Sequence, residues 1–225
     1  VTRRKAVWGL LVVTIVWGAT FIWMKQAMNA VQTEIDTYGQ TAVVSVLVGG
    51  RFLIAAIALF IGSSKARMAL RERELWSGGT VLGLILLVGF TTQMVGIDTI
   101  SPSTSAFLTS LYVVFTALIS TKMAGQPVTR MMIVGVLLAT FGAGFIEGPP
   151  HLAWGKGELL TVVCAFFFAL HIIFTQSITQ RMDPLGVTIT SFIIVSIGSF
   201  IISIFMGGMD TFKLWELTLQ QDVLF

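Results

Sequence analysis

The sequence predicts an all-α polytopic membrane helix bundle built on inverted five-helix repeats, the first complete and the second partial. Three observations lead there: the composition, the length of the apolar runs, and the placement of the basic residues between those runs. Hydrophobic residues make up 55% of the 225 positions and charged residues 11%, against roughly a quarter charged in soluble domains. Mean hydropathy is +0.89. No water-soluble core of this size absorbs that much apolar surface, so lipid is the expected solvent.

Seven spans follow in order, at about 6–27, 41–62, 77–97, 103–121, 131–147, 158–178 and 185–206. Most reach the roughly 20 residues that hydrocarbon requires, and helices are the form that leaves no backbone group unpaired in lipid. The first span follows Arg3-Arg4-Lys5 and imitates a secretory leader. Its apolar stretch is too long for a leader core and no clear A-x-A site follows, so a retained first helix is expected. The second, with SVLVGGRFLIAAIALFIG at 45–62, holds Arg51 near its middle. A guanidinium stays charged at any reachable pH, and a charge in hydrocarbon is costly. Ser101-Pro102 supplies a cap and first helical residue for the fourth span. The fifth is near the short limit. The sixth contains Cys164; a lone cysteine excludes an intramolecular disulfide and reads as a small buried hydrophobe. Pro127, Pro149, Pro150 and Pro184 all fall between spans.

Orientation follows from the lysines and arginines. Arg3, Arg4, Lys5, Lys65, Arg67, Arg71, Arg73, Lys122, Arg130 and Arg181 fall on one side, and only Lys25, Lys156 and Lys213 on the other. The positive-inside rule makes the N-terminus cytoplasmic and leaves the tail after the seventh span outside. The net charge of +3 is thus explained by topology, and nucleic acid is not an expected partner. A seven-helix receptor has the opposite orientation. A retinal protein needs a lysine in its last helix, and 185–206 has none.

An internal repeat is visible. WGATFIWMK at 17–25 pairs with FALHIIFTQ at 168–176, and RFLIAAI at 51–57 with SFIIVSI at 191–197. Five spans per copy, an odd number, invert the second copy, an arrangement typical of secondary transporters.

These stretches, with TTQMVGIDTISPSTSAFLTSLYVVFTALIS at 91–120 and RMMIVGVLLATFGAGFI at 130–146, give the chain its resemblance to the drug/metabolite transporter superfamily, EamA type. The resemblance implies ten helices, with a first repeat over 1–148 and a partial second over 157–225. It therefore implies a fragment or shortened chain here. Ala117 stands where many relatives place a proline in the fourth helix, which leaves a kink there open.

Candidate substrate-binding residues are Trp17, Phe21, Lys25, Arg51, Gln93, Tyr112 and His171. Trp17, Phe21 and Lys25 repeat every four residues and share one helix face. They form either an aromatic wall with a cation at the outer mouth, or packing residues with a snorkelling lysine. Gly49 and Gly50 let a neighbouring helix approach beside Arg51. Arg51 either attracts an anionic substrate group or pairs within the bundle. Gln93, Tyr112 and His171 are polar groups that must be satisfied away from lipid. Gly79 and Gly83, then Gly135, Ala139 and Ala143, form rows of small residues that read as helix packing.

With two histidines and one cysteine far apart, ligand spacing is absent and no metal or other cofactor is expected. No nucleophile and acid/base groups converge, so an enzyme is not expected. Asp98, Glu147 and Glu158 lie near outer span ends, leaving no mid-membrane carboxylate to couple protons. The expectation is a secondary transporter or exporter of small metabolites or amphipathic compounds in the cytoplasmic (inner) membrane. The alternative is a truncated or accessory membrane protein without transport activity of its own. Expected partners are the small-molecule substrate, the lipid bilayer and, for a shortened chain, a homodimer.

Overall fold

The structure is a computed structural model and describes residues 3–123, 129–144 and 155–219. It is all-α: α1 Arg3–Ala30, α2 Gln32–Tyr38, α3 Gln40–Gly62, α4 Ser64–Ala69, α5 Arg73–Ile97, α6 Pro102–Ser110, α7 Tyr112–Met123, α8 Arg130–Gly144, α9 Lys156–Thr179 and α10 Pro184–Gly207, then a 3₁₀ helix over Met209–Leu219. Among the described residues six spans are long and apolar enough to cross a membrane, so the chain is a multi-pass membrane protein. They are α1 from Val7, α3, α5, the α6–α7 pair, α9 and α10. The fifth predicted span is represented by α8. Its residues 145–147, with Pro127, Pro149, Pro150 and the domain boundary at 148, lie outside the described residues.

Helix ends carry the chemistry expected of them. Ser101 Oγ accepts from Thr104 N at 3.0 Å with Pro102 at the first turn of α6, and Asp183 Oδ2 accepts from Gly186 N at 2.9 Å to start α10. Arg67 Nη1 donates to the Phe60 and Ile61 carbonyls at 2.8 and 3.0 Å, capping the C-terminal end of α3. The fourth span breaks at Leu111, without a proline. Ser110 Oγ donates back to Phe107 O at 2.6 Å and the Leu111 amide bonds Leu108 O, a tightened turn that interrupts the ladder.

α5 is the central helix, and its glycines decide what it meets. A Cβ on Gly83 would lie 2.7 Å from Ile194 Cβ of α10, and one on Gly89 would lie 2.8 Å from the Phe168 ring of α9. At its end, a Cβ on Gly96 would lie 2.9 Å from Gly157 O. The first half of α5 therefore lies against α10 and the second half against α9, at distances only glycine allows. Gly79 and Gly83 of the predicted small-residue rows are packing positions of this kind, whereas a Cβ on Gly135 would meet nothing within 4 Å.

α3 and α10 form the other extensive pair. Around Gly49 a Cβ would come within 2.9 Å of both Ser199 Cβ and the Trp215 ring. Trp215 belongs to the 3₁₀ helix, which the sequence placed beyond the seventh span. It turns back instead at Gly208, whose φ of +74° suits glycine. Leu214 is buried, and Phe212 and Trp215 each bring their rings within 5.3 Å of Phe200. Leu214 and Trp215, with the ring of Phe212, cover the α3–α10 seam, which a solvated tail would leave bare.

The two ends of the bundle are distinct. Ala69 and Leu75 meet Gly186 at one end, while Gly157 meets Gly96 and Ile100 at the other. Residues 63–75 and Gly157 thus lie at opposite ends of α5.

Candidate functional site

Two adjoining cavities open between the helices. The larger, about 300 Å³, is lined by Trp17, Phe52, Leu86, Phe90, Tyr112, Phe168, His171, Ile172 and Phe192. The smaller, about 170 Å³, is lined by Val48, Arg51, Phe52, Ala55 and Phe90. Positions 48, 51, 52 and 55 form one face of α3, so a single helix presents both the cation and the ring that divides the chambers. Phe52 and Phe90 line both, edge to face at 5.0 Å. Trp17, Tyr112, Phe168 and His171 each sit near the middle of their spans, so the cavity lies near half-depth.

The rings form a connected set. Trp17 lies nearly parallel to Tyr112, with centroids 6.1 Å apart and an angle of 7° between the ring planes. It meets Phe168 at 6.5 Å. Phe90 meets Phe168 at 5.2 Å, and Phe52 meets Phe192 at 5.3 Å. Each contact has the offset or edge-on geometry that ring quadrupoles favour. The break at Leu111 immediately precedes Tyr112, which is the ring opposite Trp17.

The structure therefore brings four of the predicted site residues together: Trp17, Tyr112 and His171 in the larger chamber, and Arg51 on the wall of the smaller. Arg51 is exposed there and, among the described residues, has neither a carboxylate in ion-pair range nor a hydrogen bond. The other three stand elsewhere. Phe21 is 6% exposed and packs in the core. Gln93 is buried between α5 and α6 and donates to Thr109 Oγ1 at 3.1 Å.

Lys25 Nζ donates to the Ile97 carbonyl at 3.0 Å and to that of Asp98, capping the C-terminal end of α5 where the helix dipole is negative. Around it Asp98 Oδ1 accepts from Gln32 at 3.1 Å and Asp98 Oδ2 accepts from Gln40 at 2.9 Å. This cluster clamps α1, α2, α3 and α5 at one end of the bundle.

Phe52, Phe90, Phe168 and Phe192 are lining residues that reading single positions missed. Two of them carried a signal all the same. Phe168 stands opposite Trp17, and Phe192 opposite Phe52, when the repeat segments are paired.

Comparison with known proteins bears on the whole bundle. Residues 4–147 match the family model of the EamA-like transporter family. An "Uncharacterized transporter" of Archaeoglobus fulgidus is 28% identical over 186 residues, covering 82% of this chain and 53% of that protein. The chain thus spans about half the length of the curated relative it matches. No solved structure matches it.

Proposed function

The chain belongs to the EamA-like transporter family, and from that premise we propose that it is a secondary transporter whose substrate site is the paired aromatic and arginine cavity. One observation carries this reading. The two ring pairs that cross the cavity, Trp17 with Phe168 and Phe52 with Phe192, are the pairs that the two repeat segments place in corresponding positions. Residues related by a two-fold operation touch one another only near its axis. Their contact supports a pseudo-two-fold axis running through the cavity, with the first repeat over 1–148 and the second beginning at 157. α3 and α10 run antiparallel: Gly207 lies by Ala42 at one end and Phe192 lies by Phe52 midway. That supports inversion of the copies and a site at the repeat interface, as alternating access requires.

In this reading Trp17 and Tyr112 shape one wall and Arg51 sets the charge preference. Phe21 and Gln93 hold the helices behind the wall, and Lys25 fixes the outer end of α5. The N-terminus is cytoplasmic in the cell membrane, and substrate leaves the cell.

The test is flux through liposomes carrying the full chain, loaded with a panel of amino acids, sugars, nucleosides and organic acids. Protein-dependent, saturable flux of at least one solute, lost in Trp17→Ala, is expected. Flux equal to that of protein-free liposomes throughout refutes transport by this chain and leaves the accessory reading. Sidedness is checked by labelling with an impermeant maleimide. Lys65→Cys is expected to label from the cytoplasmic side and Asp36→Cys from the other; labelling from the same side refutes the topology.

A further inference from the structure

We propose that the paired cavity selects planar aromatic organic anions, with a two-ring core in the larger chamber and a carboxylate or sulfonate beside Arg51. The inference rests on the transporter reading above and specifies its substrate class.

Shape comes first. Six of the nine side chains around the larger chamber are Phe, Trp or Tyr, and their faces and edges favour a flat π-system over a puckered aliphatic one. A dry apolar cavity of about 150 Å³ takes up benzene. The 300 Å³ chamber is twice that, which fits two fused rings. The adjoining 170 Å³ then remains for a linker and a charged group, reached past the shared Phe52 and Phe90.

Charge comes second. An aromatic chamber alone would welcome organic cations, because ring faces attract them. Arg51 is the ionised side chain on these walls, and among the described residues no aspartate or glutamate lines either chamber. Among the described residues its guanidinium is unpaired, so its donors are free to take a bidentate oxyanion. Lys25 does not compete, being held on the Ile97 and Asp98 carbonyls at the end of α5. The position paired with Arg51 in the second repeat segment is Ser191. The cation is thus present on one side of the cavity only, and one anionic group answers it.

The experiment is equilibrium dialysis of the full chain in nanodiscs, with uptake by empty nanodiscs subtracted. The probes are 2-naphthoate, cyclohexanecarboxylate and (2-naphthylmethyl)trimethylammonium. Saturable binding of 2-naphthoate is expected, with the other two at least tenfold weaker. Arg51→Gln is expected to weaken 2-naphthoate at least tenfold and to narrow its advantage over the cation. The proposal is overturned if the cation, or the non-aromatic acid, binds the wild type as tightly as 2-naphthoate. It is also overturned if Arg51→Gln inserts normally and leaves the anion-to-cation ratio unchanged. Should Arg51→Gln fail to insert, the three-probe comparison on the wild type decides.

Liposome flux separates this proposal from the one beneath it. A chain that carries some other solute but does not bind 2-naphthoate overturns the substrate class alone. A chain that binds 2-naphthoate and carries nothing overturns transport and leaves the binding preference standing.

Discussion

Replacing Gly79 by alanine probes the helix crossing on which the bundle depends. A Cβ built there would lie 2.5 Å from Thr190 Cβ and 3.1 Å from the Ser191 amide, and would overlap Thr190 Oγ1. Thr190 has no room to withdraw: it is fully buried, and its hydroxyl is within hydrogen-bond distance of the Gly186 and Val187 carbonyls and, at 3.3 Å, of Leu75 O across the crossing. α10 must therefore shift, at an overpacking cost of about 1–3 kcal/mol. Alanine also returns about 0.5–1 kcal/mol through lower chain entropy in a helix. Gly135→Ala is the control, because its Cβ meets nothing within 4 Å; it gains the entropy term and pays no clash. The difference between the two variants isolates the clash, about 1–3 kcal/mol, or roughly one to two decades in the unfolding constant. Reversible unfolding by SDS in mixed micelles measures it. Adding Thr190→Gly to Gly79→Ala empties the space the new methyl needs, so the double variant should recover much of the loss. Equal stability of Gly79→Ala and Gly135→Ala, or strictly additive costs in the double variant, would refute the crossing geometry.

Three further outcomes follow from the same structure. Lys25→Met strands two carbonyls at the end of α5 and should lower stability by about 1–3 kcal/mol in the same SDS titration, with Lys25→Arg retaining most of it. Phe168→Ala removes a ring that is 5% exposed and meets both Trp17 and Phe90; a loss of about 3–5 kcal/mol is expected, together with weaker 2-naphthoate binding in dialysis. Cys164 is fully buried, so maleimide should leave it unlabelled in the folded chain and label it after SDS unfolding.

The helices and most of their limits were legible, because lipid imposes a length and an apolar composition that a sequence cannot conceal. Ser101-Pro102 marks a start for the same reason that such pairs cap helices in water, whereas Pro184, expected between spans, opens α10 behind an Asp183 cap. Facing was less legible. Trp17 and Phe21 share one side of α1, yet Trp17 lines the cavity while Phe21 packs in the core. A helix apolar all round carries no stripe to say where its neighbour stands. Lys25 read either as a cation at the mouth or as a snorkelling lysine; its actual acceptors are backbone carbonyls, which every residue possesses and no sequence pattern flags. Among 17 phenylalanines, composition did not distinguish Phe52 and Phe90 from lipid-facing rings. The break at Leu111 carries no proline, and serine hydroxyls bonded in the same way at Ser191 and Ser203 leave α10 unbroken, so no single residue type announced it.

Among the described residues, α1 is held at one end only. From Phe21 to Met28 it contributes core side chains and is fastened by Lys25, while Val7 to Gly18 is exposed. Mechanically it is a cantilever with Trp17 beside its root. At 1.5 Å per residue the free arm from Val7 is about 15 Å long, so a 10° swing carries its tip about 2.6 Å and scarcely moves the indole. The stack on Tyr112 is thereby insulated from whatever adjoins the free, N-terminal length of α1. The stack's other support is the fourth span, whose tightened turn at Leu111 lies one residue from the tyrosine.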